Sequence, residues 1–583
     1  MVPAPCPPHA GISADSAFCR KCGATRGYFA FAAESGPVSA APEYAFAPSE
    51  RPTSPGSPYS PAHPTGRRLL YLATGVTIGI SSTFANALTS VNIGTIAGSM
   101  GLYVAEASIL PAIYVAMNAT ANLTLVKARA QFGIPQVTGT VLALYAMAGL
   151  LQLAAPGLIS AIIIRGANGV TAAALITLSI YYLLQAFPPR LRPVGLVIGI
   201  GLPQLGMPLA RTIPVDVLAT AGWRGMHLIE IGVALGILAL ILTVRLPPSD
   251  RSRAFRPLDL LTIGLALGGY LLLCQVLGLG RLYLWTDAPW LGIELAAAIP
   301  LLAAVTIIES SRASPMIRLD WIGTWGMLRF AAVALFLRIA LAEQTFGSVG
   351  LLTAGGLTND QLGRLFAFVA LAMVAGIVVA ALTLSEKRLP WQVIAASLII
   401  ALGAWLDSGS TSLTRPPQLY LSQMLIGFGT TLFVGPALVY GILRMLERGT
   451  DHLVTWVVLF STTQNVGGLM GSALLGSLQT IWASKANLVL ASDMVAGDPL
   501  VAGRLAAGSA SLGGTIADPA LRTVQGGGLL VQATAQQASV IAFTDTFRFV
   551  AFLAIAIAGV IALAHLRAAI RGRPAQPSPE HEP

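Results

Sequence analysis

Leu158-Ile-Ser-Ala-Ile-Ile-Ile-Arg165-Gly-Ala-Asn-Gly169-Val-Thr-Ala-Ala-Ala-Leu-Ile176 is the stretch that decides the fold. It is a long apolar run with one arginine in its interior. About 20 apolar residues suffice to cross roughly 30 Å of hydrocarbon as a helix. A cation at that depth costs roughly 3 kcal/mol or more unless it faces a bundle interior or water. Arg165 therefore predicts that other helices surround it. It is either a functional group or a structural arginine that bonds neighbouring helix ends.

Composition points the same way. Hydrophobic residues make up 55% of the 583 and charged residues only 10%, against about 25% charged in a soluble domain. Too few charges remain to cover a soluble surface, so the chain belongs in a bilayer. The net charge of +10 does not call for nucleic acid, because excess Lys and Arg in a membrane protein collect in cytoplasmic loops. The polar, Pro-rich start lacks the apolar core of a cleavable signal peptide.

From Arg67-Arg68 onward, apolar segments alternate with short polar loops, about fourteen in all by the length criterion. The expected spans are 69–90, 105–126, 136–153, 157–184, 192–211, 225–246, 258–280, 290–308, 325–345, 363–384, 391–406, 418–443, 453–482 and 545–567. With the N-terminus inside, the inner loops hold Lys127, Arg129, Arg190, Arg192, Arg245, Arg251, Arg253, Arg256, Arg312, Arg318, Lys387, Arg388, Arg444 and Arg448. The outer loops hold mainly Arg281 and Arg415. This is the positive-inside pattern, with both termini cytoplasmic.

Residues 1–30 hold three of the four cysteines. Cys6-Pro-Pro-His9 and Cys19-Arg-Lys-Cys22 are two ligand pairs at a spacing that suits tetrahedral zinc. The segment resembles a short zinc ribbon in which His9 replaces the usual second cysteine. The alternative is a disordered tail with incidental cysteines. Zinc thiolates need a reducing compartment, which again places this end in the cytoplasm. Residues 31–66 read as a flexible Pro/Ser-rich linker.

An ordered set of motifs after the linker resembles the fourteen-helix drug:proton antiporter branch of the major facilitator superfamily, the EmrB/QacA type. The matching elements are Asn92-Ile-Gly-Thr-Ile-Ala-Gly-Ser-Met-Gly101, Lys127-Ala-Arg129-Ala-Gln-Phe-Gly133, Arg165-Gly-Ala-Asn-Gly169, Trp223-Arg224, Asp259 to Gly264, Glu309 with Ser314-Pro315-Met-Ile-Arg-Leu319, and Gln536 to Phe547. The resemblance implies that Arg165 and Gly169 belong to the coupling helix, and that Lys127 and Arg129 form the basic loop between helices two and three. It also implies that the Gly- and Pro-rich helix five (Gly206, Pro208, Arg211) forms the seam between two halves. Small residues let such helices approach closely and Pro bends them; ordinary tight packing is the alternative reading.

The chain departs from that family where a proton carrier is expected. The helix-one Asp is replaced by Ala85, beside Asn86, and the Asp of the basic loop is absent. Glu230, Glu343 and Glu106 are the replacement candidates, with Arg338 in the same helix as Glu343. A buried carboxylate next to a cation is held between two opposing influences, which a coupling site exploits. Glu106 reads as a solvated helix-end charge, and Arg338 as a neutralising partner of Glu343. His227 is a further candidate to carry a proton, or a wet interfacial histidine. Gln464 and Asn465 either line a polar cavity or bridge helices.

The expected architecture is all-α. A six-helix half spans 67–246, two inserted helices 247–320 and a second six-helix half 321–570, with a long outer loop at 483–540 and a disordered tail at 571–583. That loop suits docking of an envelope adaptor protein or capping of the mouth, and equally two short amphipathic helices on the membrane. The resemblance implies proton-driven efflux of small amphipathic compounds across a bacterial-type inner membrane. The partners are then the substrate, protons and lipid, and the coupling set is Arg165, Gly169, Glu230, Arg211, Gly206, Pro208, Asn86, Lys127, Arg129, Arg338 and Glu343. Structural zinc at Cys6, His9, Cys19 and Cys22 is the one cofactor expected. No enzymatic chemistry is expected, and no Walker-type loop suggests ATP drive. Two alternatives stand beside this: an uncoupled or differently coupled metabolite transporter, and a membrane sensor that signals through the zinc module.

Overall fold

The computed structural model describes residues 50–51, 56–495 and 497–570. Cys6, His9, Cys19 and Cys22 lie outside them, as does the tail at 571–583. Among the described residues, extended pairing is confined to one isolated bridge between Pro58 and Ser249.

Thirteen helices are long and apolar enough to cross a membrane. They are α1 (Thr65–Val91), α2 (Val104–Phe132), α3 (Ile134–Ala154), α4 (Leu158–Ala186), α5 (Pro189–Ala210), α6 (Val215–Thr243), α7 (Pro257–Leu279), α8 (Pro289–Ser311), α9 (Trp325–Ala354), α10 (Asn359–Leu382), α11 (Glu386–Asp407), α12 (Pro416–Leu446) and α14 (Pro519–Ile570). The fourteenth long helix is α13 (Leu453–Ser492), whose 40 residues reach about 60 Å at 1.5 Å each. It misses the apolarity criterion because one side carries Ser461, Gln464, Asn465 and Ser472, which face an internal cavity. A hydropathy average penalises a helix that lines water.

Two groups of six helices emerge from the packing. In the first, α1, α2 and α3 lie on α4, α3 also on α6, and α5 against α1 and α4. In the second, α10 and α11 lie on α12, α11 and α13 on α14, and α9 on α13 and α14. The groups meet where α2 touches α13 and where α5 touches α10 and α12. The hairpin α7–α8 sits to one side and leans on α2.

The α5 seam depends on missing side chains. A Cβ at Gly206 would fall 2.3 Å from Thr83 Oγ1, one at Gly201 would fall 2.6 Å from Ile377, and Val197 fills the space over Gly435. α5 is not a uniform helix. It changes to a 3₁₀ turn at Leu202–Leu205, where Pro203 removes a donor, before a last turn that contains Pro208.

Two regions differ from the sequence expectation. α6 starts at Val215, not at the Trp223-Arg224 motif, and Trp223 interrupts it with φ 70°. The stretch 483–540, expected as a long outer loop or equally as two short amphipathic helices, is mostly helical: α13 continues to Ser492, a short helix covers Pro499–Ser511, and α14 begins at Pro519. Asp498 caps the short helix by accepting from the Leu500 N–H at 2.7 Å, with Pro499 at the first position. That helix packs on α14 so closely that a Cβ at Gly526 would fall 2.7 Å from Ser509 N. The alternation of Ala, Gly and Ser that reads as loop composition is what this close pairing requires.

Candidate functional site

A cavity of about 750 Å³ lies between the two six-helix groups. Its walls come from α1, α2, α4 and α5 on one side and from α9, α12 and α13 on the other. One end is lined by Arg129, Arg192, Leu446 and Leu453, and so reaches the basic loops. Its depth is lined by Asn86, Tyr114, Gln204, Arg338 and Gln464. Most of the remaining lining is aliphatic or aromatic. Several polar atoms here have no protein partner: Asn86 Oδ1, and both Gln464 Nε2 and Oε1. Buried polar groups are normally bonded, so these are the groups a guest molecule or water would satisfy.

The opposite end is closed. Arg211 Nη1 donates to Asn359 Oδ1 at 2.6 Å, and Asn359 Nδ2 to Asn92 Oδ1 at 3.4 Å. The Val215 N–H donates to Asp360 Oδ1 at 3.0 Å. Burial pushes the Arg211 guanidinium down to about 10, which leaves it charged at neutral pH, and it lies 4.9 Å from the centre of the Phe366 ring. These contacts tie α1 and α5 to α10 across the seam.

The halves also meet through amides. Asn465 Nδ2 donates to Asn118 Oδ1 at 2.9 Å, and Asn122 Nδ2 to Ser461 Oγ at 2.8 Å. Gln464 thus lines the cavity, and Asn465 takes both roles foreseen, lining it and bridging α13 to α2.

Arg165 does not line the cavity. It is buried inside the first half, where its Nη2 donates to both oxygens of Glu230 at 2.6 Å. Its Nη1 donates to the Ala85 carbonyl at 3.2 Å, and His227 Nδ1 stands 3.3 Å from Glu230 Oε2. Two residues singled out separately in the sequence are therefore one ion pair. Glu230 from α6 supplies the carboxylate that Ala85 cannot. Gly169 is the close-packing point beside it: a Cβ there would fall 2.5 Å from the Tyr114 carbonyl.

Lys127 and Arg129 part company. Lys127 Nζ is 2.6 Å from Asp259 Oδ2, and Arg312 Nη2 is 2.6 Å from Asp259 Oδ1. Arg312 Nη1 continues the chain to Glu309 Oε1 at 2.7 Å. Asp259, on α7, thus takes the place of the acid missing from the basic loop and pins the inserted hairpin to α2. Arg129 instead lines the cavity, 5.6 Å from the Tyr181 ring centre, and makes no ion pair among the described residues.

Arg338 and Glu343, expected as partners, are apart. Arg338 Nε donates to the Gln464 carbonyl at 3.0 Å and its side chain faces the cavity. Glu343 turns the other way, where Gln423 Nε2 donates to it at 3.1 Å and to Asp407 Oδ2 at 2.6 Å. Asp407 and Gln423 were not foreseen from the sequence. The signal was present, since both are strongly polar residues at the edges of apolar spans. Glu106 accepts from the Tyr103 N–H at 2.8 Å, the helix-end role foreseen for it.

Neither a protein-family model nor a curated protein sequence matches the chain. Solved structures do superpose on it. A proton-dependent oligopeptide transporter aligns with TM-score 0.52 and 12% identity over 86% of this chain and 99% of the other. A bacterial homologue of the human drug peptide transporters PepT1 and PepT2 aligns with TM-score 0.50 and 12% identity over 86% and 99%. The chain has the major facilitator fold. The major facilitator proton:xylose symporter XylE superposes less closely, with TM-score 0.47 and 14% identity over 84% of this chain and 95% of the other. At such identities the likeness is one of fold. In major facilitator terms α1–α6 and α9–α14 are the two halves, α7–α8 the insertion, and the cavity lies on the axis between the halves, where this fold places its binding site.

Proposed function

We propose that this protein is a secondary active transporter that moves small amphipathic compounds by alternating access, with proton-driven efflux as its working direction. The observation that carries the reading is the cavity between the halves, open toward the basic end and closed at the other by Arg211, Asn359 and Asn92. Its size and mixed lining suit a drug-sized guest. The basic end then faces the cytoplasm, by the positive-inside pattern. The charged groups on the cavity wall are Arg129, Arg192 and Arg338, and no carboxylate lines it among the described residues. Such a wall favours neutral and anionic amphipaths over cations.

The test uses inverted membrane vesicles that contain the protein, a proton gradient and a panel of neutral, anionic and cationic amphipathic dyes. The expected result is that neutral and anionic dyes dissipate the gradient in wild type and less so in Arg338→Ala. Labelled dye that crosses with no proton movement would replace this reading by uncoupled transport, the alternative favoured by Ala85 in place of a helix-one carboxylate. Structural zinc at Cys6, His9, Cys19 and Cys22 belongs to the same proposal and is tested by metal content of wild type against a Cys19→Ser/Cys22→Ser variant. If that variant loses the cellular phenotype while flux stays normal, the sensor reading gains.

A further inference from the structure

We propose that Glu343 and Asp407, bridged by Gln423, form a proton-binding carboxyl pair in the second half of the molecule, separate from the Arg165–Glu230 ion pair. The three side chains come from α9, α11 and α12, and each is 1% exposed or less. Gln423 Nε2 donates to Glu343 Oε1 at 3.1 Å, to Glu343 Oε2 at 3.3 Å and to Asp407 Oδ2 at 2.6 Å. Both carboxyls thus crowd one amide nitrogen, Glu343 Oε1 at 3.1 Å and Asp407 Oδ2 at 2.6 Å from it. A carboxylate only accepts, so the two groups can bond each other only when one of them carries a proton.

The surroundings leave that proton as the means of compensation. No arginine, lysine or histidine among the described residues forms an ion pair with either acid. Four cations on or near the packed elements are engaged elsewhere. Arg338 on α9 bonds the Gln464 carbonyl, Arg415 before α12 bonds the carbonyls of Ser412 and Thr414, and Arg548 on α14 pairs with Asp545. Arg281 lies over the Phe346 ring. Two bare negative charges in a dehydrated pocket are strongly disfavoured. Asp407 Oδ1 and Gln423 Oε1, both buried, have no partner, so acceptors stand ready for an O–H. A metal ion fits poorly. No three His, Cys, Asp or Glu side chains converge there among the described residues, and the N–H groups of Gln423 point into the space a cation would fill.

The backbone adds a second observation. Glu343–Gly347 is a π-helical turn inside α9, and such turns recur at functional sites because they re-aim side chains. This one sends Glu343 toward Asp407 while its neighbours Ala342 and Thr345, and Arg338 one turn earlier, line the cavity. One helix therefore presents the carboxyl pair on one side and the guest on the other. Gain or loss of the proton changes the bonding that holds the turn, and the cavity face of α9 moves with it. That consequence rests on the transport reading; the proton site does not. The proton belongs to the pair and not to one residue, as in any strongly interacting carboxyl dyad.

The test is infrared difference spectroscopy of purified full-length protein in detergent, titrated with acid and base alone. Wild type is expected to show, at neutral pH, a protonated-carboxyl carbonyl band that shifts in deuterated water. The Glu343→Gln/Asp407→Asn double variant, which elutes as a monodisperse species if folded, is expected to lack it. Absence of the band in wild type overturns the proposal without any variant. A band that survives in the double variant assigns the proton elsewhere and also overturns it, as does a band abolished by sodium chloride but not by choline chloride. Dye flux in vesicles is scored separately, so failure of transport leaves the outcome of the titration intact.

Discussion

The two halves share an architecture and hold opposite electrostatics at their centres. In the first half a buried acid meets a buried base: Arg165 Nη2 contacts both oxygens of Glu230 at 2.6 Å. In the second half a buried acid meets another acid, with a glutamine amide between them. A compensated pair of this geometry holds three helices together and resists change. An acid pair that needs a proton is bistable, because its bonding depends on something that comes and goes. On the proposed reading of the carboxyl pair, the first half is the fixed scaffold and the second the moving part.

The largest expected effect breaks the compensated pair. Arg165→Ala leaves the Glu230 charge buried with only His227 nearby, which costs about 3–5 kcal/mol and lowers the unfolding temperature in detergent more than substitutions at Gly169 or Glu343 do. Arg165→Met combined with Glu230→Leu removes both charges and is expected to restore most of that loss. An unchanged unfolding temperature in the single variant would show that the pair holds nothing together.

Packing next to the pair comes second. Gly169→Ala places a methyl 2.5 Å from the Tyr114 carbonyl and 3.1 Å from Asn118 N, both backbone atoms that cannot swing aside. Separating α2 from α4 is expected to cost about 1–3 kcal/mol. Gly232 on α6 has no atom within 4 Å of its would-be Cβ, so Gly232→Ala is the control, stabilising by up to about 1 kcal/mol through helix propensity. Equal unfolding temperatures for the two variants would remove the close approach as an explanation of Gly169.

The acid pair is expected to answer in the opposite sense. Glu343→Gln replaces one of two like groups by a neutral isostere that still bonds Gln423. Stability is expected to stay within about 1 kcal/mol of wild type, while substrate-driven proton movement in vesicles is lost. If Glu343→Gln destabilises as Arg165→Ala does, the two halves are electrostatically alike and the contrast between scaffold and moving part fails.

Most of this fold was legible because a bilayer makes hydropathy and length sufficient evidence for helices. The single long helix that hydropathy undervalues, α13, is one of those that line the cavity. The site was legible only in part. Arg165 stood out because a cation in an apolar run is conspicuous, and Glu230 for the same reason, but their distance of 65 positions hid the bond between them. Arg338 and Glu343 looked like partners because they are close in sequence. Five positions along a helix is about 140° past a full turn, so the two side chains point to different sides. Asp407 and Gln423 were passed over because each lies near a span edge, where polar residues are ordinarily solvated. Only the packing of α11 and α12 against α9 turns them inward.

The smallest effect concerns the segment that precedes α1. Ser57, Pro58 and Ser60 line the open end of the cavity, so this segment crosses the mouth. Its contacts include the Tyr59 carbonyl accepting from Gln185 Nε2 at 2.8 Å, the Tyr59 hydroxyl donating to Asp250 Oδ1 at 2.8 Å, the Tyr59 N–H donating to the Pro248 carbonyl at 2.9 Å, the Ser60 carbonyl accepting from Arg192 Nη2 at 3.3 Å, and His63 Nε2 at 2.9 Å from Gln185 Oε1. Burial pushes the His63 imidazole below its ordinary value of 6.5; the Gln185 bond opposes the shift, and the charges of Arg67 and Arg68 add to it. The neutral ring, its edge against Tyr71, is therefore the docked form. A detached segment would titrate near the ordinary value of about 6.5 and binds more protons than the docked one below it. Docking is then fully supported above about pH 6.5 and weakens as pH falls through the docked value. Amide hydrogen exchange of residues 56–64 is expected to quicken relative to α4 as pH drops from roughly 7.5 to 5.5, after correction for intrinsic rates. His63→Gln is expected to abolish that pH dependence. A variant that loosens with acid as wild type does would show that the mouth segment answers to some group other than His63, and the open end of the cavity would then be regulated, if at all, by the halves alone.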